Sequence, residues 1–167
     1  MLHAASHRSD MTQPRRMAML LGTVALFLGS AAFAAPPVNT LKAGIFGGHT
    51  DTAILGYDPV AYFTDGKPLK GQDNLVTEWM GAKWKFASQA HLDLFKASPD
   101  KYAPQYGGYC AYGVSQDNLV SIEPDKFKLL DGKLYLNYDA AVQAKWLKDP
   151  QGFIREADAK FQALLKK

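Results

Sequence analysis

A single cysteine is the most reactive side chain in this 167-residue sequence. Cys110 lies within residues 104–113, PQYGGYCAYG, where three tyrosines and three glycines accompany it. One cysteine cannot form an internal disulfide, so it is a free thiol, an intermolecular partner or a metal ligand. A nucleophilic cysteine needs a base that a third group orients, and no motif here supplies one. The alternative to a ligand role is a small, buried apolar residue.

A histidine with a similar choice of roles lies on a predicted helix. Ser88 is a good helix cap and Pro99 stops a helix, so the sequence predicts a helix over residues 88–98. The inward stripe, at i, i+4, i+7 and i+8, consists of Ala87, His91, Leu94 and Phe95. His91 therefore faces the predicted core, either as a hydrogen-bonded core residue or as a metal ligand.

These two residues suggest one candidate metal site. An imidazole and a thiolate together suit copper or zinc, and Met80 is a candidate soft third ligand. We expect the Gly107-Gly108 pair to turn the backbone tightly, so that Cys110 points toward the face of the helix that holds His91. The alternative is that both side chains only pack in the core.

The N-terminus predicts export. Arg15 and Arg16 precede an uncharged apolar run over residues 17–29, and the small-x-small pattern at residues 32–34 suits a signal peptidase. We therefore expect a signal peptide over residues 1–34, cleavage after Ala34, and a periplasmic or secreted protein. The apolar run is short for a membrane span, so we expect no stable anchor after cleavage. The paired arginines leave both the general secretory and the twin-arginine route open.

Charge and length limit the remaining function classes. The full chain has 19 basic and 16 acidic residues, and removal of residues 1–34 takes away three and one of them, which leaves 16 − 15 = +1. This balance gives no reason to expect nucleic-acid binding. We expect an extended leader over residues 35–50 and one domain over residues 51–167. We find no internal repeat, no phosphate-binding glycine loop and no enzyme signature.

Capping and turn residues predict an α+β fold, with a small antiparallel sheet of short hairpins and helices packed against it. Asp58 and Pro59 start a short helical turn. Glycine-containing turns predict hairpins over residues 79–86 and 127–138, the second around Asp131-Gly132. Asp139 begins a helix that runs to Leu147, and Asp149-Pro150 begins another with Phe153, Ala157, Phe161 and Leu164 along one side.

Part of this pattern resembles the YHS domain, a small module that occurs alone or attached to metal-transporting ATPases and some oxygenases. The matching residues are Asp58, Pro59 and Val60, the run WKFASQAH over residues 84–91, and then Phe95, Pro99 and Tyr102. The family pattern is DPVC, followed by F-C-S-x-x-C-x-x-x-F-x-x-x-P-x-x-Y, and it resembles the TRASH metal-binding modules. The wider sequence resembles exported, stand-alone relatives of that domain.

The departures from the family pattern limit what the resemblance implies. Ala61 and Ala87 stand where the family has its first two cysteines, and His91 stands at the third position. A structural zinc site needs four nitrogen or sulfur ligands, so a cysteine cluster of the family kind is excluded. The resemblance implies an exported metal-binding or metal-handling module of the copper or zinc class. The alternative is a non-catalytic interaction or structural domain that has lost the family site.

Overall fold

A computed structural model describes residues 34–43 and 48–167. The predicted signal peptide covers residues 1–34, and all of it except Ala34 lies outside the described residues. The helices are α1 Ala61–Thr64, α2 Gln89–Ala97, α3 Pro99–Tyr102, α4 Ala111–Ser115, α5 Ala140–Trp146 and α6 Pro150–Leu164. The strands are β1 Gln72–Trp79, β2 Ala82–Phe86, β3 Glu123–Leu130 and β4 Lys133–Asn137. Among the described residues, no helix has both the length and the apolar character needed to span a membrane.

These elements confirm the α+β class. The strands form two separate antiparallel pairs, β1 with β2 and β3 with β4, rather than one sheet. One apolar core contains side chains from both hairpins and from α2, among them Trp84, Phe86, Leu92, Phe95, Leu134 and Leu136. A second core lies around α6 and contains Tyr106, Tyr109, Val114, Tyr135, Trp146 and Ala157.

Both predicted hairpins are confirmed. Met80 and Gly81 connect β1 to β2 with φ angles of 50° and 76°, and Asp131 and Gly132 connect β3 to β4 with 51° and 73°. Two successive residues with positive φ form the tight turn that matches the twist of an antiparallel pair. Asp and Gly tolerate this conformation at low cost, which is why the second turn was readable from its sequence.

Helix α2 lies where the sequence predicted a helix, but the predicted inward face was wrong. The Ser88 hydroxyl caps it by accepting a hydrogen bond from the backbone N–H of His91 at 3.2 Å. The buried residues are Leu92 and Phe95, whereas Leu94 is 39% exposed. Ala87 precedes the cap, so it does not lie on the helix, and the buried stripe is centred one residue later than the predicted one.

The predicted leader is packed against the domain around one buried residue. The Asn39 backbone N–H donates to the carbonyl of Gly107 at 2.9 Å, and its side-chain amide donates to the carbonyl of Gly108 at 2.9 Å. Its own carbonyl accepts from the backbone N–H of Ile54 at 3.0 Å. Asn39 is 1% exposed, so it ties together two turns that are about fifty residues apart in sequence.

The structure contains an internal repeat, so the conclusion from the sequence that there is none was wrong. In β1–β2, Gln72 pairs with Phe86, the register then shifts, and Val76 pairs with Lys85. The β3–β4 hairpin has the same irregularity between the pairs Glu123 with Asn137 and Phe127 with Leu136. Every one of these positions is displaced by 51 residues, for example 123 − 72 = 51 and 137 − 86 = 51.

Features around the hairpins repeat as well. Trp84 stacks on Phe95 with ring centroids 5.2 Å apart, and 51 residues later Tyr135 packs on Trp146 at 5.3 Å. The caps Ser88 and Asp139, and the dipeptides Ser98-Pro99 and Asp149-Pro150, are related by the same displacement. Each unit begins with a turn in which two residues have left-handed angles, Ile54 and Leu55 in one, Tyr106 and Gly107 in the other. We call residues 53–102 the N-terminal repeat and residues 105–153 the C-terminal repeat.

The repeat is hidden at the level of residue identity. Of the 24 pairs between residues 79–102 and 130–153, three are identical, namely Gly81 with Gly132, Ala90 with Ala141 and Pro99 with Pro150. The shared glycine lies in a hairpin turn and the shared proline begins a helix, two places where backbone geometry limits which residue types fit. At the other positions the two halves preserve only a role, such as a cap or an aromatic ring.

Candidate functional site

A buried carboxylate organises the N-terminal repeat. Asp58 has no exposed surface, and its Oδ1 accepts hydrogen bonds from the backbone N–H groups of Val60 at 2.8 Å and Ala61 at 3.3 Å. These donors begin the α1 turn, so the predicted capping role of Asp58 is confirmed. An ionised carboxylate accepts such bonds strongly, because the donors lack partners at the start of a helix.

The second oxygen of the same carboxylate joins α1 to α2. Asp58 Oδ2 accepts from the backbone N–H of Ala87 at 2.8 Å and lies 2.6 Å from His91 Nδ1. Ala61, Ala87 and His91, which stand at the three cysteine positions of the YHS pattern, are therefore all bonded to one carboxylate. The structure brings the three positions together, although only His91 has a side chain able to bind a metal.

The bond to Asp58 fixes how the imidazole is turned. When Nδ1–H donates to the carboxylate, Nε2 of the neutral ring has a free lone pair. Nε2 lies 3.2 Å from Thr64 Oγ1 and 3.4 Å from Asp65 Oδ2. The His91 side chain is 14% exposed and that of Asp65 is 36% exposed, so the pair lies partly open to solvent. A histidine oriented by a carboxylate on its far nitrogen is the usual arrangement of a metal ligand.

Cys110 is buried, as the sequence predicted, and takes part in a helix cap, whereas its expected direction toward the His91 face of α2 stays a prediction. It has no exposed surface, and its Sγ accepts from the backbone N–H of Gly113 at 3.3 Å at the start of α4. The thiol also lies 3.9 Å from Asn137 Oδ1. Burial raises the pKa of the Cys110 thiol, although the N–H groups directed at the sulfur oppose that shift. The neutral thiol is therefore the favoured form.

The remaining candidates are in different surroundings. Cys110 and His91 share no hydrogen-bond partner, and Met80 is 50% exposed in the turn between β1 and β2. Within residues 34–43 and 48–167, no group of three or more His, Cys, Asp and Glu side chains has the arrangement of a metal site. A joint metal role for His91, Cys110 and Met80 stays a prediction.

Cys110 is the counterpart of Asp58 in the C-terminal repeat. The Asp58 backbone N–H donates to the carbonyl of Leu69 at 2.9 Å, and the Cys110 N–H donates to that of Val120 at 3.2 Å. Each side chain then caps the helical turn that follows it. The displacement of 51 residues along the hairpin and helix makes Val142 the counterpart of His91. The acid–histidine pair is therefore present in one repeat and replaced by a thiol and an aliphatic side chain in the other.

The pairing of Asp58 with His91 was missed in the sequence, as were the contacts from Thr64 and Asp65. Asp58 was interpreted only as a cap, and 33 residues separate it from His91. The one available signal was the family pattern. Asp58 is close in sequence to Ala61, which stands at the first cysteine position, and the cysteines of a metal site must lie near one another. Asp58 was therefore a candidate neighbour of His91.

A protein-family model matches part of the chain. The model of the YHS domain matches residues 60–106, which cover most of the N-terminal repeat. No curated protein and no solved structure matches the chain. The YHS domain is a family often linked to metal handling. The match begins at Val60, the residue before α1, and it includes the β1–β2 hairpin and α2, the helix that holds His91. Residues 60–106 of this chain are therefore similar to the YHS domain.

Proposed function

We propose that this chain is an exported metal-binding module of the zinc or copper class, in which His91 and Asp65 are the protein ligands. The observation that supports it best is the 3.4 Å separation between His91 Nε2 and Asp65 Oδ2. Two ligands that bind a tetrahedral ion at about 2.0–2.1 Å lie about 3.3–3.4 Å from each other. The N-terminal signal-like sequence supports export.

The surroundings of the pair suit an exchangeable metal rather than a structural one. Asp58 orients the imidazole, and Thr64 Oγ1 donates to Asp65 Oδ2 at 2.7 Å, so both ligands have supporting contacts. Two protein ligands leave the other coordination positions to water or to a partner, as in sites that keep an open position. Nitrogen and oxygen ligands favour Zn²⁺ or Cu²⁺ over Cu⁺, which prefers sulfur.

The second candidate is a non-catalytic structural or interaction domain. In that case His91 is protonated and bridges Asp58 and Asp65 as an ion pair. The observation in its favour is the complete burial of Asp58, whose four hydrogen-bond donors hold α1, β2 and α2 together. A protonated ring occupies the same geometry but has no lone pair on Nε2, so it binds no metal.

Calorimetric titration of the metal-free protein with Zn²⁺, and separately with Cu²⁺, distinguishes the two. We expect one site in the wild type, and its loss in His91→Ala and Asp65→Asn. The matched control is His49→Ala, because His49 is exposed and its Nδ1 lies 3.0 Å from Thr40 Oγ1, away from this pair. Equal binding by the wild type and both site variants would exclude the proposed ligands, and no binding by any of them would favour the second candidate.

A further inference from the structure

The C-terminal repeat contains a cavity of about 420 Å³ beside Cys110. Its walls come mainly from α4, from the loop that follows it, and from the start of α5, and Leu41 and Gly48 of the leader complete them. No lining residue is charged. Tyr112, Leu119, Val120, Tyr138 and Val142 provide most of its apolar surface. A volume of this size is within the range of pockets that hold small organic molecules, roughly 300–1,000 Å³.

This cavity occupies the position that the acid–histidine pair has in the other repeat. Cys110 and Val142 are both in its lining, and they are the counterparts of Asp58 and His91. In the N-terminal repeat the His91 imidazole reaches the capping carboxylate, with Nδ1 2.6 Å from Asp58 Oδ2. In the C-terminal repeat the counterpart Val142 has no ring and no polar atom, and it lines the cavity together with Cys110.

Polar groups lie at two places around the cavity. Gln116 and Asn118 are exposed at its edge. Ser121 is 3% exposed in the wall, and its hydroxyl has no hydrogen-bond partner among the described residues. A buried polar group without a partner is uncommon and calls for an explanation, such as a bound molecule. A ligand with one hydrogen-bonding group would satisfy the Ser121 hydroxyl.

We propose that this cavity binds a small neutral molecule with a flat apolar body and one hydrogen-bonding group. A charged ligand is disfavoured because the lining offers no opposite charge, and an unpaired ion would lose its hydration. The flat shape follows from the Tyr112 and Tyr138 rings in the wall, against which a planar molecule can pack. Binding is noncovalent, because the Cys110 sulfur is buried and caps α4.

Indole is a suitable probe, because it is flat and neutral and has one N–H donor. Titration followed by amide and methyl chemical shifts in NMR spectra should show saturable shifts confined to the residues around the cavity. Val142→Phe fills the space, and we expect it to weaken indole binding at least tenfold. The matched control is Leu147→Phe, which enlarges a side chain that is 46% exposed in the same repeat and should leave binding unchanged.

A second variant keeps the proposal falsifiable if Val142→Phe fails to fold in a thermal unfolding test. Leu119→Trp fills the cavity from another wall and should weaken indole binding to a similar extent. Indole-3-acetate tests the preference for a neutral ligand, and we expect it to bind at least tenfold more weakly than indole. Unsaturable shifts in the wild type, or equal indole affinity in a folded cavity-filling variant, would overturn the proposal. Zinc titration of the same variants should match the wild type, so the two proposals can fail independently.

Discussion

Replacing Asp58 with alanine should destabilise the protein more than any other single truncation of a polar side chain in the N-terminal repeat. The change removes the acceptor for three backbone N–H groups, those of Val60, Ala61 and Ala87, and for the His91 ring. Asp58 itself has no exposed surface, so water does not readily replace the lost carboxylate. The α1 turn, the end of β2 and the start of α2 all lose a shared partner.

The expected loss follows from the number of donors left without a partner. A buried donor that loses its partner costs about 1–3 kcal/mol. Three backbone donors, one of them in a long bond of 3.3 Å, give a total of roughly 3–5 kcal/mol at the lower part of that range. Domains unfold with a free energy of about 5–15 kcal/mol, so this loss is a large fraction of the total.

Urea denaturation followed by tryptophan fluorescence measures the change. With an m-value of about 2 kcal/mol/M, a loss of 4 kcal/mol lowers the midpoint by about 2 M. The matched control is Asp73→Ala, since Asp73 is paired with Lys85 but its side chain is 92% exposed, and its midpoint should stay close to the wild type. A loss below about 1 kcal/mol in Asp58→Ala would refute the reasoning, because it would mean that the three donors find other partners.

Three further predictions concern other parts of the molecule. Gly107→Ala should lower the free energy of unfolding, measured in urea, by roughly 2–4 kcal/mol, because its φ is 61° and a Cβ would collide with the carbonyl of Pro37. The control Gly132→Ala, with a φ of 73° but open space around the new Cβ, should lower it by only about 1 kcal/mol. The Cys110 thiol should react with iodoacetamide at pH 8 at least roughly 100-fold more slowly in the folded protein than in urea, because burial removes access and raises its pKa, and equal rates would contradict its burial. Burial raises the pKa of Tyr109 to about 12, above its value of about 10 in the unfolded chain, so the free energy of unfolding should fall as the pH rises above 10. Tyr109→Phe should show a shallower fall between pH 10 and 12, and identical pH profiles would be evidence against this cause.

Local signals in the sequence predicted the elements well. The caps Asp58, Ser88, Asp139 and Asp149 each accept a hydrogen bond from a backbone N–H two or three residues later. The hairpin turn at Asp131-Gly132 has the positive φ angles expected of it. Such features depend on a few adjacent residues, so a short stretch of sequence contains all the information needed.

The composition of the site depended on contacts between distant residues, and it was only partly predictable. The family pattern identifies His91 as a candidate. The sequence around Asp58 explains that residue as a helix cap, and it gives no sign that Asp58 also binds His91. Cys110 was expected to face inward and does so, yet its own contacts are the helix start at Gly113 and the side chain of Asn137. The contact with Gly113 is local, but Asn137 is 27 residues from Cys110 and Asp58 is 33 residues from His91, so only the folded chain brings these partners together.

The internal repeat escaped notice for a related physical reason. Backbone geometry is preserved between the halves, whereas side chains were free to change wherever only volume or a hydrogen bond was needed. Trp84 and Tyr135 illustrate this, since both place an aromatic ring against the following helix. A comparison of hydrogen-bond registers detects such a relation more readily than a comparison of residue types.

The position of Asn39 has a consequence for the way the two repeats open. Its backbone N–H is bonded to Gly107 in one repeat, and its carbonyl is bonded to the N–H of Ile54 in the other. A local opening of the turn at Ile54 or of the turn at Gly107 therefore also weakens the hydrogen bond between Asn39 and the other turn. In hydrogen–deuterium exchange, the amide protons of Asn39 and Ile54 should be protected to the same degree, with an opening free energy close to that of global unfolding. The two repeats would then behave as a single cooperative unit, although each has its own hairpin and its own helix.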